Sequence, residues 1–479
     1  MITINKRYIS IILVLAILAT LFIGCAAHQN PMPDNSPSPE PVLDDAHLLG
    51  DENKVLTVCA MSDIHMGDKN TEESFNKAMD FMTRTKAAPD AYVFSGDLTN
   101  TTAVTLSNEQ VVKFKNIYEQ YAEPSQMVYC LGPAHDVPNT KSTEAAQQVF
   151  TDTFGAEYYS GCLETEQVRV EGIRWVKIKG FNFYSLDWNS NHGTGAPSSA
   201  ALRWLRETLT AETEIDSEKP IFVAVHVPDI GTITSVLKRF PQVICFTGHL
   251  HNSVAREDSI SQDKKFTNIH CGGQNYYRVN GYERFTEDPF LDLGDIYAFG
   301  QAIYLQVDQS NNVTITRVDT YNGKIIGEKW EIGPGRRSVY TKDRIDEAEK
   351  CLFEEDDVLR IRELDGKSLA VSFDGCKAGS AGPVLYYQIK LYAPTASGIY
   401  KQVDHKEISS QQVFYPNDVG IPLLHYSYTF NDLDCLDNYA VVVTAKDCWG
   451  ESGNALIYTN GTYEYKIPAA GKVDFAVGN

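Results

Sequence analysis

The stretch Phe246-Thr-Gly-His-Leu-His251 decides how this chain is read. A short apolar run, Val243-Ile-Cys-Phe246, gives way to Gly248, and two histidines follow at i, i+2. On an extended segment, residues two apart point to the same side. The spacing therefore predicts two imidazoles facing one point, and imidazole is the commonest side-chain metal ligand. A polar turn that happens to hold two histidines would read the same way, so the pair needs partners elsewhere.

Four other stretches supply them, each directly after an apolar run. Asp63-Ile-His65 follows Val55 to Met61, and Gly96-Asp97 follows Ala91 to Phe94. Gly132-Pro-Ala-His-Asp136 follows Gln126 to Leu131, and His226 follows Ile221 to Val225. Open α/β sheets take their ligands beyond the carboxyl ends of their strands. Five of the 11 histidines occupy such ends, a clustering that chance rarely gives. A mixed Asp/His set suits Zn, Mn or Fe, and the glycines let backbone come close to a compact site.

The intervening text is helical. Phe75, Ala78, Met79 and Met82 recur at helix spacing within residues 73–86. Ser107 with Gln110 reads as a capping box opening a helix with Val111, Phe114, Tyr118 and Tyr121 on one face. Ser198 or Ser199 can cap a third, carrying Leu202, Leu205 and Leu209. Strands alternating with helices predict an α/β layered domain.

The ordered set Asp-x-His, Gly-Asp, His-Asp, His and Gly-His-x-His resembles the calcineurin-like metallophosphoesterases over residues 55–326. The resemblance implies a four-layer α-β-β-α sandwich with a two-metal site at one edge of the paired sheets. By motif position, Asp63, His65 and His251 would hold the first metal and Asp97 would bridge. His226 and His249 would hold the second. His135 would protonate the leaving alkoxide, with Asp136 orienting its ring. The implied cofactors are two divalent ions (Mn, Zn or Fe), and the implied substrate is a small phosphate mono- or diester. One motif departs from the family pattern. Where Gly-Asn-His is usual, this chain reads Gly132-Pro-Ala-His135, so the asparagine that ligates the second metal is absent and that site should be weaker. Asn100 and Asn139 are the nearest substitutes. The departure leaves open an active two-metal enzyme, a one-metal enzyme, or a ligand-binding protein without catalysis.

Outside this core the chain changes character. Lys6 and Arg7 precede the apolar run Ile11 to Ile23, which ends at Gly24-Cys25. Leu21-Phe-Ile-Gly-Cys25 resembles the lipobox of bacterial lipoproteins. That implies a signal peptide over residues 1–24, lipidation of Cys25, and export to the outer face of the cell membrane or the outer membrane. A transmembrane anchor is the other reading, although the run barely reaches the roughly 20 apolar residues a span needs. Residues 25–51, rich in Pro and Ser, read as a tether.

Residues 52–340 form the expected phosphoesterase domain, 341–357 a linker, and 358–479 a region of short strands without helical signals, expected as an all-β sandwich. Tyr439-x-Val-x-Val-x-Ala445 before Asp447-x-x-Gly450 is similar to fibronectin type III modules, and such a module would offer a surface for a protein or glycan partner. The net charge of −21 argues against a nucleic-acid backbone as partner. Nine cysteines remain after Cys25 at no repeating spacing, so no disulfide framework is indicated. His192 lies in a glycine-rich loop, and Trp188, Tyr276 and Tyr277 are aromatics placed for packing or for stacking on a ligand.

Overall fold

The computed structural model describes residues 44–100, 108–137, 142–159, 172–190, 195–274, 276–279, 283–284, 299–334, 338–395, 400–410, 412, 425–433 and 438–460. Ser107, Asn139, His192 and Cys25, with the expected signal peptide, lie outside these residues. Among the described residues no helix is long and apolar enough to cross a membrane.

The first part contains strands β1 (Leu56–Met61), β2 (Ala91–Phe94), β3 (Met127–Tyr129), β4 (Ile173–Ile178), β5 (Phe181–Leu186), β6 (Ile221–Val225), β7 (Val243–Thr247), β8 (Ile260–Ser261) and β9 (Thr267–His270). A short hairpin, β10 (Arg278–Val279) and β11 (Glu283–Arg284), follows. Then come β12 (Gln301–Val307), β13 (Val313–Asp319) and β14 (Lys324–Ile332). Five helices alternate with the early strands: α1 (Thr71–Thr83), α2 (Asn108–Tyr118), α3 (Thr143–Phe154), α4 (Ser199–Ile215) and α5 (Gly231–Leu237).

These strands make two six-stranded sheets. One has the order β14-β13-β12-β1-β2-β3, the other β4-β5-β6-β7-β9-β8. The strands that carry the motifs are parallel to their neighbours: β1 with β2, β2 with β3, and β6 with β7. All five motifs therefore emerge at carboxyl ends.

The layers follow from which face each residue takes. On β1, Val58 and Ala60 enter the core between the sheets, where they meet Phe183, Phe222 and Phe246. Cys59 and Met61 point the other way, onto Phe75, Met79, Phe114 and Phe150 of α1–α3. On the second sheet, Tyr184, Val223 and Cys245 face Leu205 and Leu209 of α4 and Ile233 of α5. This is the α-β-β-α sandwich. Both faces of each sheet are buried, which is why the parallel strands read as unbroken apolar runs rather than alternating ones. Cys59, Cys130 and Cys245 are buried and unpaired, as small core residues.

The capping box of Ser107 and Gln110 falls partly outside the described residues; the Gln110 Oε1 accepts from the backbone of Asn100 at 3.0 Å. The expected elements differ from the observed ones in two places. The tether does not run to residue 51, because Ala46 and Leu49 are buried in the first helix-covered core and the Asp45 N–H donates to Gly323 O at 2.8 Å. Helix α3 and the β4–β5 hairpin had no expected counterpart. In α3 only Thr143, Ala146, Phe150 and Phe154 are buried, a sparse stripe among polar residues.

The C-terminal part is all β. It contains β15 (Arg360–Glu363), β16 (Leu369–Asp374), β17 (Tyr386–Pro394), β18 (Tyr400–Ser409), β19 (His425–Phe430), β20 (Tyr439–Lys446) and β21 (Ala455–Asn460). A three-stranded antiparallel sheet, β15-β16-β19, packs on a four-stranded one, β18-β17-β20-β21. Leu369, Val371 and Phe373 of the first meet Tyr387, Ile389, Val441 and Val443 of the second. The alternation marks sheets with one buried and one open face.

The segment after His251 joins the two parts. The Glu257 N–H donates to Ala381 O at 3.2 Å. Its carboxylate takes Arg317 at 2.8 Å and Arg344 at 3.4 Å, and the Arg344 guanidinium lies 5.6 Å from the Trp449 ring centroid.

Phe222 stacks on Phe183 at 4.7 Å and on Phe246 at 6.0 Å between the two sheets. Phe222→Ala should cost about 3–5 kcal/mol of stability, the usual loss for a buried aromatic. Urea unfolding followed by circular dichroism checks it; a loss below about 1 kcal/mol would mean this inter-sheet stack contributes little.

Candidate metal centre

The turns that end β1, β2 and β7 are not extended. Asp63, His65, Asp97, His249 and His251 all have positive φ, between 50° and 71°. Non-glycine residues rarely adopt this region, and where they do the strain clusters at functional sites. The expectation that i, i+2 spacing on an extended segment aims both histidines at one point is therefore corrected. Left-handed turns aim them, and they diverge: His251 meets His65 and Asp63, whereas His249 sits 5.3 Å, ring to ring, from His226.

Three groups of donor atoms lie within 4.8 Å of one another: Asp63, His65 and His251; Asp97, His226 and His249; and His65, Asp97 and His135. His251 Nε2 is 3.2 Å from Asp63 Oδ1 and 3.2 Å from His65 Nε2. His226 Nε2 is 3.1 Å from Asp97 Oδ2, and His65 Nε2 is 3.8 Å from that same oxygen. Donors held about 2.1 Å from one ion would sit roughly 3–4 Å apart, and these do.

The outer ring nitrogens fix the inner ones. The His226 Nδ1–H donates to Ser95 O at 2.7 Å, and the His251 Nδ1–H donates to Tyr276 O at 3.1 Å. Each bond leaves Nε2 facing the centre, which is how backbone carbonyls orient ligating imidazoles. Tyr276 also stacks on the His251 ring, 4.0 Å between centroids. These supporting groups carry no sequence signature, because two are main-chain carbonyls and Tyr276 reads as ordinary packing.

The electrostatics call for a cation. Burial opposes charge on Asp63, yet His251 and His226 hold its carboxyl well below the ordinary range. Burial opposes charge on His226 too, but Asp97 and Asp63 raise it to about 10. Two carboxylates buried together need positive charge beside them. Asp97 Oδ1 and His65 Nδ1 are buried with no hydrogen-bond partner among the described residues. The residues thus fit divalent metal ions, and nitrogen and oxygen donors of this mix suit Zn, Mn or Fe.

His135 and His249 are half-buried while the other donors are buried, so the centre opens to solvent on their side. Burial pushes His135 down to about 4, with Asp97 pulling the other way. Asp136 takes a different part from the one expected. Its carboxylate accepts from the backbone N–H groups of Gly132 (3.0 Å), Leu98 (3.2 Å) and Thr99 (3.0 Å) and from Thr99 Oγ1 (3.1 Å). Those four donors occupy its acceptor positions, so Asp136 ties the loop of residues 132–137 to the end of β2 rather than orienting the His135 ring.

Ala134, at φ 65°, offers only a methyl group where an asparagine is usual. The Asn100 backbone N–H is held by Met66 O at 3.1 Å. His270 is buried with its Nδ1 accepting from Gly272 N–H at 3.2 Å, outside the donor groups.

Residues 56–253 match the family model for calcineurin-like phosphoesterases, a span that contains every donor named above. Over those residues the chain is similar to the calcineurin-like phosphoesterases. No curated protein matches the chain. Among solved structures, it is similar to a purple acid phosphatase from yellow lupin (Lupinus luteus) seeds, at 12% identity and a TM-score of 0.35, covering 58% of this chain and 53% of that one. It is also similar to the sensor domain of the anti-sigma factor RsgI4 of Pseudobacteroides cellulosolvens, at 20% identity and a TM-score of 0.14, covering 22% of this chain and 92% of that one. The fold assignment rests on the sheets and the family match.

A Cβ on Gly132 would fall 2.0 Å from Asp97 Oδ1. Gly132→Ala should therefore displace Asp97 and weaken cation binding by about tenfold or more, some 1.4 kcal/mol, without loss of secondary structure. Titration calorimetry with Mn or Zn beside circular dichroism tests this, and unchanged affinity would show that Asp97 is not held against Gly132.

Proposed function

We propose that this protein is a metal-dependent hydrolase of phosphate mono- or diesters. In this reading Asp63, His65 and His251 hold one divalent ion, Asp97 lies between, and His226 and His249 hold a second. The observation that carries the reading is the convergence of these six side chains from two different sheets on one partly open point. When bound, such ions supply Lewis acidity toward phosphoryl oxygens and lower the pKa of a nearby water.

The chain's own residues do the rest. Asp63 and Asp97 are buried and ionised, so their negative charge is fixed in place without reorganisation. Ser95 O and Tyr276 O keep the His226 and His251 rings from turning. In this reading His135, at the open side, would protonate the leaving oxygen. As it stands it is neutral at pH 7, and a substrate phosphate beside it would favour its charged form. Ala134, without a ligating side chain, leaves the His249 side short of a donor, so the second ion should bind more weakly than the first.

His135→Ala should leave cation content unchanged and lower kcat for an alkyl phosphate by about 10²-fold, the low end for a lost general acid. The loss should be smaller for p-nitrophenyl phosphate, whose leaving group needs little protonation. The acid donates only while charged, so kcat should fall as pH rises through the His135 pKa in the substrate complex, and the variant should lose that limb. Equal losses for both esters would remove His135 from the acid role. Absence of turnover by the wild-type protein with Mn, Zn or Fe bound would favour the ligand-binding reading instead.

We also propose that the chain is an exported lipoprotein anchored through Cys25, on the strength of Leu21-Phe-Ile-Gly-Cys25. In this reading the C-terminal sandwich is a fibronectin type III-like module, supported by its three-on-four strand arrangement. Labelled palmitate should enter the wild-type protein and not Cys25→Ser; label retained in the variant would refute the anchor.

A further inference from the structure

The loop that carries His249 and His251 has a second face. Leu250, between the two histidines, lines a cleft with Asn252, Arg256 and Asp258, and the opposite wall is the sandwich, with Tyr386 and Asp447. The cleft measures about 330 Å³. That falls within the range of small-molecule sites, which favour domain junctions.

We propose that this cleft binds a saccharide. The lining excludes the other classes in turn. Arg256 is the one cation among the lining residues, and Asp258 neutralises it: Nε and Nη2 bond Asp258 at 2.8 and 2.7 Å, and Nη1 bonds Asn252 Oδ1 at 3.2 Å. Asp447 then leaves the lining with more carboxylates than cations, which disfavours an anion. A hard metal ion needs several oxygens free to turn inward, but both Asp258 oxygens are held by Arg256. A purely apolar ligand would desolvate Asn252, Arg256 and the two carboxylates without return.

A neutral polyol fits each constraint. Its hydroxyls donate to carboxylate and amide oxygens, and its C–H face packs on Leu250 and the Tyr386 ring. Asp447 supplies the second observation. It is 1% exposed. Its Oδ1 accepts from the backbone of Trp449 and Glu451, both at 2.9 Å. Its Oδ2 has no hydrogen-bond partner among the described residues. A buried acceptor left unpaired is costly, and a ligand hydroxyl would pair it. The site does not depend on hydrolysis, because none of the metal-donor residues lines the cleft.

The experiment is saturation-transfer NMR on the full chain with glucose and N-acetylglucosamine, and affinity electrophoresis with dextran and chito-oligosaccharide to separate free sugar from polymer as the source. Saturation transfer to at least one monosaccharide is expected. Tyr386→Ala should weaken it by about tenfold or more, Asp447→Asn should weaken it as well, and Tyr386→Phe should retain it. Thermal unfolding of each variant guards against misfolding. The proposal is overturned by no response to either sugar, or by binding that survives both Tyr386→Ala and Asp447→Asn. Retardation by polymer without monosaccharide binding would place recognition elsewhere and also overturn it. Glucose 6-phosphate binding as well as glucose would refute the exclusion of anions.

Discussion

Two carboxylates, Asp63 and Asp97, lie buried where the carboxyl ends of two sheets meet, and much of the domain answers to the cost of keeping them there. A buried charge is tolerated only when paired. Here the pairing comes from His65, His226 and His251, which arrive on three different strand ends. The His226 and His251 rings are held from behind by main-chain carbonyls, and His65 and His251 sit at strained positive φ. That strain persists because the sheets behind each turn are packed on both faces and cannot relax toward it.

The same constraint explains the glycines. A side chain at Gly96 would come within 2.6 Å of His226, and one at Gly132 within 2.0 Å of Asp97. The site is built from backbone brought closer than any Cβ would allow. Asp136 belongs to this economy too: its carboxylate closes the loop of residues 132–137 onto β2, which sets where His135 can stand. The loop after His251 then passes into the ionic network of Glu257, Arg317 and Arg344, so the metal-side turn and the sandwich share one stretch of chain.

Much of this was legible in advance because the strands are buried on both faces. Val243 to Phe246 and Ile221 to Val225 are uninterrupted apolar runs, and a run of that kind ending in Gly or His is a strong local signal. The elements that escaped notice lack it. Strand β4 has the pattern of a partly exposed edge strand, and β18 is mostly solvated along its length. Helix α3 shows only four buried residues on a polar background. The family resemblance implies that Asp136 orients the His135 ring. The backbone N–H groups that claim its oxygens come from Leu98 and Thr99, far off in the chain, and no side-chain pattern announces them.

The sequence by itself determined the donor set, because strand ends and histidines are local features and each motif follows its own apolar run. It also determined the departure at Pro133 and Ala134, since a missing side chain is visible without a fold. The family resemblance implies that His249 and His251 divide between two metals, but only the tertiary structure shows how: left-handed turns rather than strand alternation aim them into different groups. The cleft behind Leu250 was likewise invisible, since its walls come from residues 250–258 and 385–450, far apart in a chain of 479. Contacts between residues so distant are set by how two domains pack, and no local pattern encodes that.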